Sequence, residues 1–224
     1  MMKSSFFRMI LLSLFLAASP AAAREDAPAP APVLPTVVNP DQSVQPENVL
    51  LLYLSNGGKV TIRLMPEWAP GHVERIKSLT RDGFYNGIIF HRVIDGFMAQ
   101  TGDPTGTGQG GSQLPDLKAE FNAMPHLRGT LSMARTEQPD SANSQFFIVF
   151  YPRFALDRKY TVFGRVIAGM DVVDRIERGE PPEKPTKILQ AAMAIDNLPP
   201  PTIPVEAPAP TAITSDQLSN SVSN

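Results

Sequence analysis

Residues 88–101 read IIFHRVIDGFMAQT. A run of strand composition ends at Asp95-Gly96, and a second apolar run begins at Phe97. β-Branched and aromatic residues suit a pleated, half-buried surface, and Asp-Gly is a turn pair. The stretch therefore reads as two antiparallel strands. Successive side chains on a strand point to opposite faces, so Phe90, Arg92 and Ile94 share one face and His91 and Val93 the other. That sets a cation, Arg92, among apolar neighbours. On pattern alone two placements stand. One is a charged group beside an apolar pocket; the other is a surface arginine at a strand end, or one paired with a carboxylate such as Glu120.

The same composition recurs on both sides. Residues 49–54 (VLLLYL) and 60–65 (VTIRLM) flank Ser55-Asn56-Gly57-Gly58-Lys59, a strong hairpin signal. Residues 129–135 (GTLSMAR), 144–150 (SQFFIVF) and 160–167 (YTVFGRVI) read as three more strands, and 187–195 (KILQAAMAI) as a closing one. Over 70–82, Val73, Ile76 and Leu79 fall at helical spacing, with Pro70 suited to the first turn and Gly83 to the residue after the last. A short helix is expected over 170–178, with Val172, Val173 and Ile176 on one face. Between strands lies a Gly-rich loop, 102–116 (GDPTGTGQGGSQLPD). Seven or eight strands with two helices argue for a mainly β fold, a closed eight-stranded antiparallel barrel capped by two α-helices, rather than a parallel sheet.

Composition divides the 224 residues the same way. All 15 glycines lie between Gly57 and Gly179, whereas 12 of the 23 prolines fall in 24–48 and 199–224. One domain, 49–198, is expected between a Pro/Ala-rich linker and a Pro-rich tail that no core would order. Residues 1–23 read as a signal peptide. Lys3 and Arg8 precede the apolar run 9–18 (MILLSLFLAA), and Ala21-Ala22-Ala23 supplies small residues for cleavage. Ten apolar residues are too few to span a bilayer, which takes roughly 20. The expected product starts near Arg24 and is exported without stable membrane insertion, to the periplasm of a Gram-negative source or otherwise secreted.

Several chemistries find no support. The 49–198 region carries 17 Lys/Arg against 16 Asp/Glu, which is no footprint for nucleic acid. The absence of cysteine removes disulfides, thiol nucleophiles and thiolate metal sites. His72, His91 and His126 show no metal-ligand spacing. Gly106-x-Gly108-x-x-Gly111 matches a dinucleotide fingerprint in form, but Pro115 interrupts any following helix and no acid stands about twenty residues on. A Ser-His-Asp triad is not excluded by counting, although no Gly-x-Ser-x-Gly elbow is present. Neither cofactor nor metal is expected.

FHRVIDGFMAQTGDPTGTGQGGS, GTLSMAR, NSQFFIVF and LDRKYTVFGRV stand in this order and resemble the signature blocks of cyclophilin-type peptidyl-prolyl cis-trans isomerases. The resemblance covers about 49–197 and implies the barrel expected above, with proline-containing polypeptides as substrates of a monomer. It implies a catalytic role for Arg92. It further implies that Phe97, Met98, Gln100, Gly108, Gln145, Phe147, Leu156 and Tyr160 bind substrate, together with the edge segment Ala134, Arg135 and Thr136. The chain departs from the common eukaryotic pattern at Tyr160, which replaces a histidine, and at Ala155, which replaces a tryptophan that Phe154 could supply after a one-residue shift. It departs again at Arg135, which replaces an asparagine and implies a preference for acidic flanking residues. The first two departures bear on cyclosporin-type inhibitors more than on catalysis. The alternative function is a non-catalytic proline-peptide binder or chaperone; intact Arg92, Phe97, Gln100 and Phe147 favour the enzyme.

Overall fold

A computed structural model describes residues 34–202. The expected signal peptide, residues 24–33 and the tail beyond 202 lie outside the described residues.

The hairpin forms where Asn-Gly-Gly directs it. Strands β1 (Val49–Leu54) and β2 (Gly58–Leu64) pair antiparallel from Val49↔Arg63 to Leu54↔Gly58. Gly57 takes a φ of 81° in the turn, a conformation that costs glycine nothing. Helix α1 (Pro70–Arg81) follows and buries Val73, Ile76 and Leu79. Then come β3 (Arg92–Ile94), β4 (Met98–Thr101), β5 (Thr130–Met133), β6 (Phe146–Val149) and β7 (Val162–Ala168), helix α2 (Met170–Asp174), and β8 (Ile188–Met193). One antiparallel sheet runs in the order β3-β4-β6-β5-β7-β2-β1-β8. Its concave side encloses the main core, which includes Leu52, Ile62, Phe90, Phe146, Ile148 and Phe163.

The expected closed barrel is corrected to a curled half-barrel. β3 and β8, at the two ends of the strand order, share no ladder. Separate backbone bonds reach across instead: Phe90 N–H donates to Thr186 O, Ile188 N–H to Ile88 O, and Val93 and Gly179 exchange a pair. The connection from α2 to β8 holds Pro181, Pro182 and Pro185, which lack the N–H a continuous ladder requires. Several other spans shrink, and β5, β6 and β8 each lose residues at both ends. α2 ends at Asp174 rather than continuing to 178, and β3 begins at Arg92 rather than Ile88. Because residues 88–91 are not part of the strand, the alternation does not pass through Phe90, which sits fully buried in the main core.

Residues 34–48 belong to the stretch expected to be a spacer, yet they lie against the domain. Arg63 on β2 is only 2% exposed and donates to the carbonyls of Asn39, Asp41, Val44 and Gln45. Trp68 Nε1 donates to Pro35 O at 2.8 Å, while Leu34 and Val38 pack on Met65, Trp68, Met124 and Val162. A spacer reading rests on missing apolar periodicity. These contacts use main-chain carbonyls, which every residue has, and just two apolar side chains.

Candidate active site

The register of three strands builds the site. Arg92 on β3 faces Gln100 on β4, which faces Phe147 on β6. One step along, Ile94 faces Met98, which faces Val149. Paired residues on neighbouring strands project to the same side, so both rows stand on the face opposite Val93, Ala99 and Ile148 of the main core. Met98, Phe147 and Val149 form a separate apolar cluster, with Ile94, Phe97, Ala134, Leu156 and Tyr160 packed on it. Arg92 therefore does share a face with Ile94, but not with Phe90.

A cavity of about 120 Å³ opens in this cluster. Arg92, Met98, Gln100 and Phe147 line it from β3, β4 and β6, and Phe97 from the turn between β3 and β4. Ala134 and Arg135 close one side, Leu156 and Tyr160 another. Gly108, Thr136 and Gln145 line an adjoining polar groove of about 580 Å³ that shares Gln100, Ala134 and Arg135 with the cavity. All twelve residues singled out from the sequence thus fall on two contiguous hollows. Ala155 and the 64%-exposed Phe154 line neither, so Phe154 does not take over the tryptophan position.

Arg92 is paired, but not with Glu120. Its Nε donates to Glu180 Oε2 at 2.7 Å, its sole hydrogen bond among the described residues, so both Nη groups remain for the cavity. Glu120 instead accepts from the N–H groups of Gly71 and His72 and meets His72 Nδ1 at 2.6 Å. Burial lowers the pKa of His72, although Glu120 opposes the shift.

The polar groove is held by main-chain and carboxylate contacts. Gln100 Nε2 donates to Gln145 Oε1, and Gln145 Nε2 donates to the carbonyls of Gly108 and Gly110. Asp103 accepts from the N–H groups of Thr105 and Gly108 and from the Thr105 hydroxyl. Burial acts to raise the Asp103 pKa, but these hydrogen bonds outweigh it and hold the carboxyl at about 2. At Gly102, φ is 89° and a Cβ would stand 2.4 Å from Ser144 O, so only glycine lets the loop leave β4 beside β6.

Beneath the cavity, Asp157 Oδ1, His126 Nδ1, His126 Nε2 and Ser132 Oγ follow in hydrogen-bonding order at 2.8 and 3.0 Å. This is the sequence of groups in a hydrolytic triad. Ser132 has no exposed surface, however, and its hydroxyl also lies within bonding distance of Thr161 O. A nucleophile must reach its substrate, so these groups serve as a support: the His126 ring stacks on Phe147 at 6.2 Å. Burial lowers the His126 pKa against the pull of Asp157. Glu180, His126, Ile94 and Arg153, whose guanidinium lies 5.1 Å over Phe97, were not singled out from the sequence. Only Ile94 carried a signal, its alternation with Arg92. The others meet the site from loops distant along the chain.

Among the described residues no three or more His, Asp or Glu side chains gather as a metal site, and no helix is long and apolar enough to cross a membrane. Residues 50–193 match the family model described as cyclophilin type peptidyl-prolyl cis-trans isomerase/CLD. The chain belongs to the cyclophilin-type peptidyl-prolyl cis-trans isomerases. A Brucella suis relative, named a probable peptidyl-prolyl cis-trans isomerase, is 47% identical over 170 residues, covering 69% of this chain and 86% of the relative. The peptidyl-prolyl cis-trans isomerase ppi1 of Schizosaccharomyces pombe is 41% identical over 143 residues, covering 60% and 92%. The cyclophilin AquaCyp293 from Hirschia baltica aligns with a TM-score of 0.64 at 33% identity, over 70% of this chain and 77% of that one. A Cryptosporidium parvum cyclophilin crystallised in the presence of the dipeptide Ala-Pro aligns with a TM-score of 0.60 at 28% identity, over 65% and 98%. As a cyclophilin, the chain is an enzyme that interconverts cis and trans X-Pro bonds.

Proposed function

We propose that Arg92 carries the isomerisation and that the 120 Å³ cavity holds the proline ring. The observation that carries this reading is a half-exposed arginine, oriented through Nε by Glu180, with both Nη groups left at the rim of an apolar hollow. The barrier to peptide rotation, about 18–20 kcal/mol, comes from nitrogen sharing its lone pair with the carbonyl. In the twisted transition state the lone pair returns to nitrogen. A donor aimed at that nitrogen binds the transition state better than either ground state, which is the condition for raising rate. Arginine keeps its charge throughout the neutral range, so such a donor needs no general base. Phe97, Met98, Phe147, Leu156 and Tyr160 hold the ring still, while Gln100 and the main chain at Arg135 fix the carbonyl side.

The occupant is a proline-containing polypeptide, and the Ala-Pro dipeptide used with the Cryptosporidium parvum cyclophilin supports that choice. The charged start, short apolar run and small residues of 1–23 support export, hence clients that fold outside the cytoplasm. Isomerisation of a short X-Pro peptide, measured with the wild type and with Arg92→Ala, tests the role of Arg92; equal turnover would overturn it. Amino-terminal sequencing of the secreted product tests export, with Arg24 as the expected first residue.

A further inference from the structure

Arg135 stands on the edge segment after β5, where the resemblance leads one to expect an asparagine and where a cation suggests recognition of acidic substrates. The structure shows its donors in use. Nε and Nη2 both donate to Lys159 O, at 3.1 and 2.8 Å, and Nη1 donates to Thr136 O and Glu137 O, at 2.8 and 3.2 Å. Cζ lies 4.5 Å from the centroid of the Tyr160 ring and 5.6 Å from that of Phe121. Tyr160 in turn meets Phe147 edge-on, at 6.0 Å and 80°. No carboxylate pairs with Arg135 among the described residues.

The location gives these bonds a consequence. Residues 134–137 and 157–160 flank the cavity from two sides. The last main-chain bond between them is Met133 N–H to Thr161 O, at 3.0 Å. Past that bond, the Arg135 guanidinium joins the two segments. Its plane lets it stack on a ring while its edge bonds carbonyls, which a lysine ammonium cannot do at once. We propose that Arg135 is a positioning residue for the proline cavity: it fixes the Tyr160 ring as one wall and thereby sets affinity for the proline ring, rather than reading acidic residues beside it. This rests on the assignment of the cavity to proline.

The test uses the full chain and tetrapeptides Ala-Xaa-Pro-Phe with Xaa as Ala, Glu or Lys. Arg135→Ala and Arg135→Lys are expected to raise KM about tenfold on all three peptides (about 1.4 kcal/mol), with kcat falling by less than about twofold. Tyr160→Ala should raise KM similarly, and adding Arg135→Ala to it should raise KM no further, because both remove one wall. An unchanged KM in Arg135→Ala, a full rescue by lysine, additive effects, or a loss confined to the Glu peptide would each overturn the proposal. Arg135→Lys keeps the aliphatic stem and the charge, so it carries the test should the alanine variant not fold. Arg92→Ala, run in parallel, separates the two readings. If it turns over like wild type, the catalytic assignment fails, while the KM comparison at Arg135 still decides this one.

Discussion

Two arginines on the outer face of one sheet, each beside core-facing neighbours on its strand, have opposite surroundings. Arg63 is 2% exposed, and its donors are taken by four carbonyls of residues 39–45. Arg92 has a side chain 43% exposed and a single partner, Glu180. Neither difference lies in the guanidinium itself. A fully engaged arginine at the N-terminal clasp is a pin, whereas one with spare donors beside an apolar hollow suits the catalytic role proposed for it. Burial lowers the pKa of Arg63, against the pull of Asp41 and Glu47.

The contrast breaks most sharply at Arg92. Arg92→Ala should reduce kcat/KM by about a thousandfold, equivalent to about 4 kcal/mol, while the melting temperature stays put. Arg63→Ala should do the reverse. About 3 kcal/mol of stability should go with the lost charged hydrogen bonds and stranded carbonyls, read as a shift in the urea midpoint, with turnover per folded molecule retained. If Arg63→Ala proves as stable as wild type, the clasp is no pin. Glu180→Ala frees Arg92 Nε and should cut kcat by about tenfold, as an exposed orienting contact near 1.4 kcal/mol would; a change in KM alone would place Glu180 on substrate instead.

A smaller effect concerns pH. Burial lowers the pKa of His72, His91 and His126 from 6.5. The unfolded chain then takes up protons first on acidification, so stability is flat above about pH 7 and falls as pH drops below 6.5. Urea midpoints at pH 8 and pH 5.5 read this; a higher midpoint at pH 5.5 would contradict it. Smallest of all, removal of residues 203–224 should leave turnover of a short peptide within about twofold, since neither hollow is lined by any described residue past Tyr160.

Much of this was legible in residues 88–101 and in the motif blocks, because alternation and turn chemistry are local and the pairing of β3 with β4 follows from them; the pairing of β4 with β6 joins segments far apart in the chain and does not. The half-barrel's incomplete closure was not, since it depends on where prolines fall opposite a strand far away in the chain. Glu180 was hidden for the same reason: it meets Arg92 across 88 residues of sequence. The N-terminal clasp was hidden differently. Its composition resembles that of a spacer, and what Arg63 recognises there is backbone, which no residue pattern displays.

The clasp also has an optical consequence. Trp68, the chain's single tryptophan, gives its indole N–H to Pro35 and lines neither hollow. Intrinsic tryptophan emission will therefore report release of the N-terminal segment and stay nearly blind to peptide entering the cavity. An emission change on adding a proline peptide would signal coupling between the N-terminal segment and the cavity, and a silent titration would show them to be independent.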